Sequence, residues 1–249
     1  MKIHNKIVLI TGAALRLGRE IALSLASGGA EIIIHYNRSR GPAERLKNQI
    51  EDLGRAAHLL ACDFNTRGAG TEKKIQTFVK KIYGLVPRVD ILINNASIFH
   101  PTPVGKIHEN TWDEMLNVNL KVPFFLSQEI GMRMKKKGRG KIINIVDSMI
   151  ARPKAGYLPY NVSKAGLHMM TVTLAKALAP EVQVNSVAPG PILPVKGMTP
   201  KQKKAVADKT LLKRFGDPQD ICAAVEFLVE GTDYVTGAFI PVEGGSIIA

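Results

Sequence analysis

Tyr160 and Lys164 stand four residues apart in the run Tyr160-Asn161-Val162-Ser163-Lys164. On a helix, that spacing puts both side chains on one face. A free phenol titrates near pH ~10 and is a poor acid at neutrality. An ammonium beside it favours the phenolate and lowers that value. Proton transfer near neutral pH needs such tuning. Upstream, the strand-like run Lys141-Ile142-Ile143-Asn144-Ile145-Val146 ends in a carboxylate, Asp147.

A second cluster lies near the start of the chain. Thr11-Gly12-Ala13-Ala14-Leu15-Arg16-Leu17-Gly18 joins a predicted strand to a predicted helix. A helix N-terminus offers free N–H groups and a positive dipole end to a pyrophosphate. Gly12 and Gly18 allow close backbone approach. The pattern G-x-G-x-x-G is absent, so the glycines alone do not decide between a phosphate turn and an ordinary strand–helix turn. The window that follows is sharper. An acid at the end of the second strand bonds the ribose of NAD, whereas a basic residue there accepts the 2′-phosphate of NADP. This chain has His35-Tyr36-Asn37-Arg38-Ser39, with no carboxylate. Arg38 suits bidentate phosphate contact, and Asn37 and Ser39 add donors. The expected cofactor is NADPH.

The elements that must position these groups alternate along the whole chain. Strands are predicted at 6–10, 31–36, 57–61, 89–93, 141–146, 183–187 and 239–242. Helices are predicted at 19–27, 42–53, 71–83, 161–178 and 218–229, with two more inside 111–136. This alternation predicts an α/β fold, a doubly wound parallel sheet of Rossmann type. No composition shift marks a second domain, so residues 1–249 read as one. Residues 191–215 break the alternation and read as a small helical lid over a substrate.

Composition narrows the partners. The net charge of +13 is carried by clusters at Lys73-Lys74, Lys80-Lys81, Lys135 to Lys141 and Lys201 to Lys204. These read as solvated helix faces or as attraction for anionic cofactors and substrates. No zinc-finger, leucine-zipper or RNA-binding signature speaks for nucleic acid. Cys62 and Cys222 have no metal or disulfide spacing, and no metal is expected. His4, His58, His100, His108 and His168 show no ligand spacing either, although His100 could line a pocket beside Phe99. No apolar run reaches membrane-spanning length, and the N-terminus passes directly into a strand, so a cytoplasmic location is expected.

Taken together, these motifs resemble the short-chain dehydrogenase/reductases over essentially the whole chain. The matching pieces are Thr11 to Gly18, Asp63 after the third strand, Asn94-Asn95-Ala96, Asn119, Tyr160 with Lys164, and Pro189-Gly190. Two departures are instructive: Arg16 replaces the family's middle glycine, and Asp147 replaces its usual serine. Both resemble the pteridine reductases within the family, as do His35, Tyr36, Arg38, Ser39 and the run Asn95 to Pro103.

The resemblance implies a catalytic set of Asp147, Tyr160, Lys164 and Asn119. It implies cofactor contacts from Gly12, Arg16, Leu17, Gly18, His35 to Ser39, Asp63, Phe64, Asn95, Ala96, Ser97, Tyr160, Lys164, Pro189 and Gly190. Arg16, Ser97, Phe99, Asp147 and Tyr160 would meet the substrate, with Phe99 stacking on a pterin. A homotetramer is also implied.

Asp147 bears on the reaction. An ionised carboxylate only accepts hydrogen bonds and repels the oxyanion of a ketone reduction. A pterin instead presents N–H donors, and takes its proton on a ring nitrogen. The expected activity is NADPH-dependent reduction of a dihydropterin or dihydrofolate. The alternatives are a 3-oxoacyl-(acyl-carrier-protein) or general carbonyl reductase, with Ser148 taking the serine's place, and a non-catalytic NADPH-binding module.

Overall fold

Seven strands form one parallel sheet in the order β3-β2-β1-β4-β5-β6-β7. They are β1 (Ile7–Ile10), β2 (Glu31–Tyr36), β3 (Ala57–Ala61), β4 (Ile91–Asn94), β5 (Gly140–Ile145), β6 (Val182–Pro189) and β7 (Phe239–Val242). The helices are α1 (Arg16–Ser27), α2 (Arg40–Asp52), α3 (Thr71–Leu85), α4 (Glu109–Leu116), α5 (Val122–Lys136), α6 (Leu158–Leu178), α7 (Pro200–Ala207) and α8 (Pro218–Glu226). This computed structural model describes residues 1–65, 70–195 and 197–249.

The central strands are apolar on both faces because helices cover both, as parallel sheets require. Val8, Ile10, Ile32 and Ile34 face Ile21 and Leu25 of α1, Leu46 of α2 and Val225 of α8. Leu9, Ile33, Leu92 and Ile142 face Phe78 and Ile82 of α3 and Leu126 and Ile130 of α5. The order reverses at β1, which pairs with β2 on one side and β4 on the other. Ligands bind at such a reversal, outside the carboxyl ends of the strands.

Three local expectations change. Residues 109–136 form one helical run rather than two separate helices, because a π turn at Asn117–Lys121 joins α4 to α5 directly. Helix α6 starts three residues earlier than expected, so Tyr160 lies within its first turn. Lys141, read as part of a solvated charge run, is a buried residue of β5. Its ammonium donates to the Leu228 and Thr232 carbonyls and pairs with Asp233 at 2.8 Å. The predicted lid contains one short helix, α7; Lys196 within it lies outside the described residues. Among the described residues, no helix is long and apolar enough to cross a membrane.

Candidate active site

A cavity of about 720 Å³ runs across the carboxyl ends of β1, β2, β4, β5 and β6. Small-molecule sites commonly have this size. The cavity begins at Tyr36 to Ser39, passes the turn before α1, and ends at Asp147, Tyr160 and Lys164.

The turn is built to bring the backbone close. Gly12 has φ +64°, and a Cβ on Gly18 would meet the Gly12 carbonyl oxygen at 2.4 Å. Arg16 also holds a positive φ, 53°, which is uncommon for a non-glycine residue. Asn95 braces the turn from β4: its Nδ2 donates to the Thr11 and Gly12 carbonyls at 2.9 and 3.2 Å. The Asn95 and Ala96 N–H groups both donate to Thr11 Oγ1 at 3.0 Å. Helix α1 has no side-chain cap and no acid in its first turn. Its N-terminus is thus suited to an anion.

His35 has a role that its type and position did not reveal. The Gly12 N–H donates to His35 Nδ1 at 3.0 Å, and Nε2 lies 3.0 Å from the Cys62 carbonyl. This pairing requires the neutral ring with its proton on Nε2. Burial pushes its pKa down to about 4, which keeps it neutral. The ring stacks on buried Phe64 at 4.0 Å. His35 and Phe64 therefore form a floor under the turn, joining the ends of β1, β2 and β3.

At the basic end Arg38 is 88% exposed, with Nη2 3.9 Å from Asp63 Oδ2. Asn37 Nδ2 donates to Asp63 Oδ1 at 3.1 Å. The guanidinium is thus free to meet an anion from solvent, with Ser39 beside it on the cavity wall.

At the other end, the Tyr160 hydroxyl donates to Asp147 Oδ2 at 2.6 Å. Asp147 Oδ1 accepts the Met149 N–H at 2.7 Å, capping a short 3-10 turn at Ser148–Ile150. Lys164 is buried, and its Nζ donates to the Ile145 carbonyl at 2.8 Å. Burial pushes the Lys164 ammonium down to about 8.

The expected tuning is reversed here. Burial, followed by the Asp147 charge, pushes the Tyr160 phenol well above its ordinary value. Lys164 Nζ lies 5.8 Å from the ring centre, while the hydroxyl faces the carboxylate. Tyr160 is therefore held as a protonated phenol. Asp147 lines the cavity and buried Ser148 does not, so the serine position is not taken over by a shift of one residue.

Asn119 sits in the π turn, fully buried. Its Oδ1 accepts from the Ile98 N–H at 2.9 Å and from Ser97 Oγ at 3.2 Å. Its Nδ2 donates to the Ile98 carbonyl at 3.0 Å and to Ser163 Oγ at 3.1 Å. It does not line the cavity; its bonds tie the Ser97–Phe99 loop to Ser163 of α6.

Ser97 and Phe99 do face the cavity, and Phe99 is 45% exposed. One face of its ring stacks on Tyr157 at 4.6 Å, and it meets Tyr160 edge-on at 4.7 Å. Sequence reasoning missed Tyr157, although three residues before Tyr160 is a helical-neighbour spacing. Ile192 and Leu193 were also missed as cavity walls; they follow Pro189 and Gly190, which line it as expected. Arg16 Nη2 donates to the Leu193 carbonyl at 3.4 Å, linking the turn to the lid. Leu17 and Asp63 line the cavity, whereas His100 does not.

The short chain dehydrogenase family model matches residues 6–205. The 3-oxoacyl-(acyl-carrier-protein) reductase FabG of Staphylococcus epidermidis is 34% identical over 247 residues, spanning 97% of this chain and 98% of that protein. Among solved structures, FolM alternative dihydrofolate reductase 1 from Brucella canis, complexed with NADP, is similar with a TM-score of 0.91. It is 31% identical, and the match covers 100% of this chain and 96% of that one. Its counterpart from Brucella suis, also in complex with NADP, gives a TM-score of 0.90 at 31% identity over 100% and 97%.

Proposed function

The chain belongs to the short-chain dehydrogenase family, and from that premise we propose that it is an NADPH-dependent reductase of dihydropterins or dihydrofolates. The observation that carries this reading is the 2.6 Å bond from the Tyr160 hydroxyl to the Asp147 carboxylate, beside the half-exposed ring of Phe99. The likeness to two dihydrofolate reductases solved with NADP supports it.

The residues fit the cofactor. The glycine turn before uncapped α1 suits a pyrophosphate. Arg38, exposed beside Ser39 and with no acid in the His35 to Ser39 window, suits a 2′-phosphate. When bound, the nicotinamide supplies the hydride.

The protein supplies the proton and the geometry. Reduction of a C=N bond needs a hydride at carbon and a proton at nitrogen. Tyr160 keeps its proton at neutral pH because burial and Asp147 both disfavour the phenolate. That proton passes to the ring nitrogen, and the phenolate so formed is reloaded from solvent through Asp147. Lys164, held on the Ile145 carbonyl, places a positive charge behind the ring as negative charge develops on Tyr160. Asp147 accepts from N–H donors of the substrate, a contact that a ketone does not offer. Phe99, backed by Tyr157, offers its other face for stacking.

The FabG relatives favour a second reading, reduction of a 3-oxoacyl thioester. Asp147 argues against it, because an ionised carboxylate would face the developing oxyanion. The test is NADPH oxidation with dihydrobiopterin, dihydrofolate, an acetoacetyl thioester and a simple diketone. A strong preference for the thioester refutes the pterin reading. The same reading carries a cytoplasmic homotetramer; exposed Met132 on α5 and Met169 on α6 offer apolar surface for it.

A further inference from the structure

The segment between the cavity and α8 carries a charge that the fold does not use. The Pro191 carbonyl accepts from the Gly216 N–H at 3.0 Å, so the two ends of the segment meet. That base lies at the cavity, because Ile192 and Leu193 line it and Arg16 donates to the Leu193 carbonyl. Above the base, α7 buries no residue. Its start is held locally: Thr199 Oγ1 accepts the Gln202 N–H at 3.2 Å, and Gln202 Oε1 accepts the Thr199 N–H at 2.9 Å.

Beyond α7, Thr210 is buried and the Leu212 N–H donates to the Gly244 carbonyl at 3.1 Å, so the loop is anchored there while α7 itself has no packed face. The loop nevertheless carries Lys201, Lys203, Lys204, Lys209, Lys213 and Arg214 against a single acid, Asp208, within residues 200–214. All six cations are exposed. Lys204 takes Asp208 at 2.8 Å, and Arg214 reaches Asp220 at 3.6 Å. Among the described residues, Lys201, Lys203 and Lys209 have no ion-pair partner. Lys201 and Lys204 also repel on one helix face. A helix without an apolar stripe gains nothing in stability from such a sequence. Leu211 and Leu212, which follow, are 52% and 63% exposed and set apolar surface beside the cations.

We propose that this loop binds the oligocarboxylate tail of a folate substrate, the aryl portion lying on Leu211 and Leu212 and the linked glutamates meeting the exposed cations between residues 201 and 214. The proposal rests on the pterin or folate reading of the cavity and selects within it. A dihydropterin with a short neutral side chain has nothing for these lysines to meet. Helix α7 begins seven residues after Leu193, so its first residue stands at most ~25 Å beyond the cavity wall, a span that a chain of linked glutamates can cover.

The experiment is steady-state kcat/KM of the full-length enzyme with NADPH. The substrates are dihydrobiopterin, dihydrofolate monoglutamate and dihydrofolate pentaglutamate. Each is measured at low and high ionic strength, in the native protein and in a Lys201→Glu, Lys203→Glu, Lys209→Glu variant. The pentaglutamate should exceed the monoglutamate by about tenfold or more at low salt, and the gain should shrink as salt screens it. The variant should lose that gain and keep its dihydrobiopterin kcat/KM. Equal kcat/KM for the two folates at low salt overturns the proposal, as does a gain that survives the charge reversals. A variant impaired only toward an acetoacetyl thioester on an acidic carrier protein also overturns it, and assigns the loop to a protein partner. Failure to reduce dihydrobiopterin at all refutes instead the function on which the proposal stands.

Discussion

Replacing Asp147 by Asn leaves the shape of the site nearly intact and removes its charge. The amide oxygen can still accept the Met149 N–H, now 2.7 Å from Oδ1, so the 3-10 turn keeps its cap. The bond from the Tyr160 hydroxyl loses its ionised acceptor. At 2.6 Å it lies in the range of charge-assisted O–H···O⁻ bonds. Hydrogen bonds to charged groups contribute about 1.5 to 3 kcal/mol. Asp147 raises the Tyr160 value, so its neutralisation must lower it. The readout is the phenolate absorbance of apo-protein during a pH titration, taken as the difference from a Tyr160→Phe control in each background. The native difference signal should rise at higher pH than that of a free phenol, and the Asn variant's at lower pH than the native one. Turnover of dihydrobiopterin should fall by ~10² to 10⁴-fold in Asp147→Asn and in Asp147→Ser, the contribution of a positioned acid–base group. An unchanged titration refutes the electrostatic argument, and pterin turnover within about twofold of native refutes the assignment of Asp147 to proton delivery.

Tyr160→Phe should abolish turnover while the dissociation constant for NADPH stays nearly unchanged, as read by fluorescence titration. Arg38→Ala should erase most of a preference for NADPH over NADH of about tenfold or more, since one charge-assisted phosphate contact accounts for ~1.4 kcal/mol. Lys164 gives a pH signature in the apo-protein. Its folded value of about 8 lies below the unfolded 10.5. Between those values the unfolded chain binds more protons, so stability rises with pH through that window, by up to ~3 kcal/mol. Chemical denaturation at pH 8 and pH 10 should show this rise relative to a Lys164→Met variant, and parallel curves would contradict it.

The motifs most legible in the sequence were those whose demand is local. Gly12 and Gly18 announce a turn because only glycine tolerates what surrounds them. Asp147 and Tyr160 were placed together by the family resemblance, and the fold joins them where β5 ends and α6 begins. Features that depend on converging elements stayed hidden. His35 was expected as a cofactor contact, but its place under the turn emerges only when β1 and β3 bring Gly12 and Cys62 to its two nitrogens. Lys141 reads as one more surface lysine because its charge run continues from α5, yet the strand carries it inward to Asp233. The ammonium–phenol pair was correctly spaced but wrongly weighed: spacing puts Lys164 on the right face, while burial, reinforced by the nearer Asp147, decides the direction in which Tyr160 is shifted.

The π turn at Asn117–Lys121 makes chain length itself a constraint. It advances five residues where an α-helix uses fewer per turn, and each residue of an α-helix turns the chain by ~100°. The run from Glu109 to Lys136 thus behaves as two rods indexed against each other by one tooth. The first rod brings Met115 beside the site, and the second seats Leu126, Ile130 and Met134 in the sheet core. Deleting one residue within the turn would rotate the first rod by ~100° against the second. Every side chain would keep its chemistry, and Asn119 would no longer aim at Ile98 and Ser163. Conservative substitutions should be absorbed here far more readily than a change in residue count.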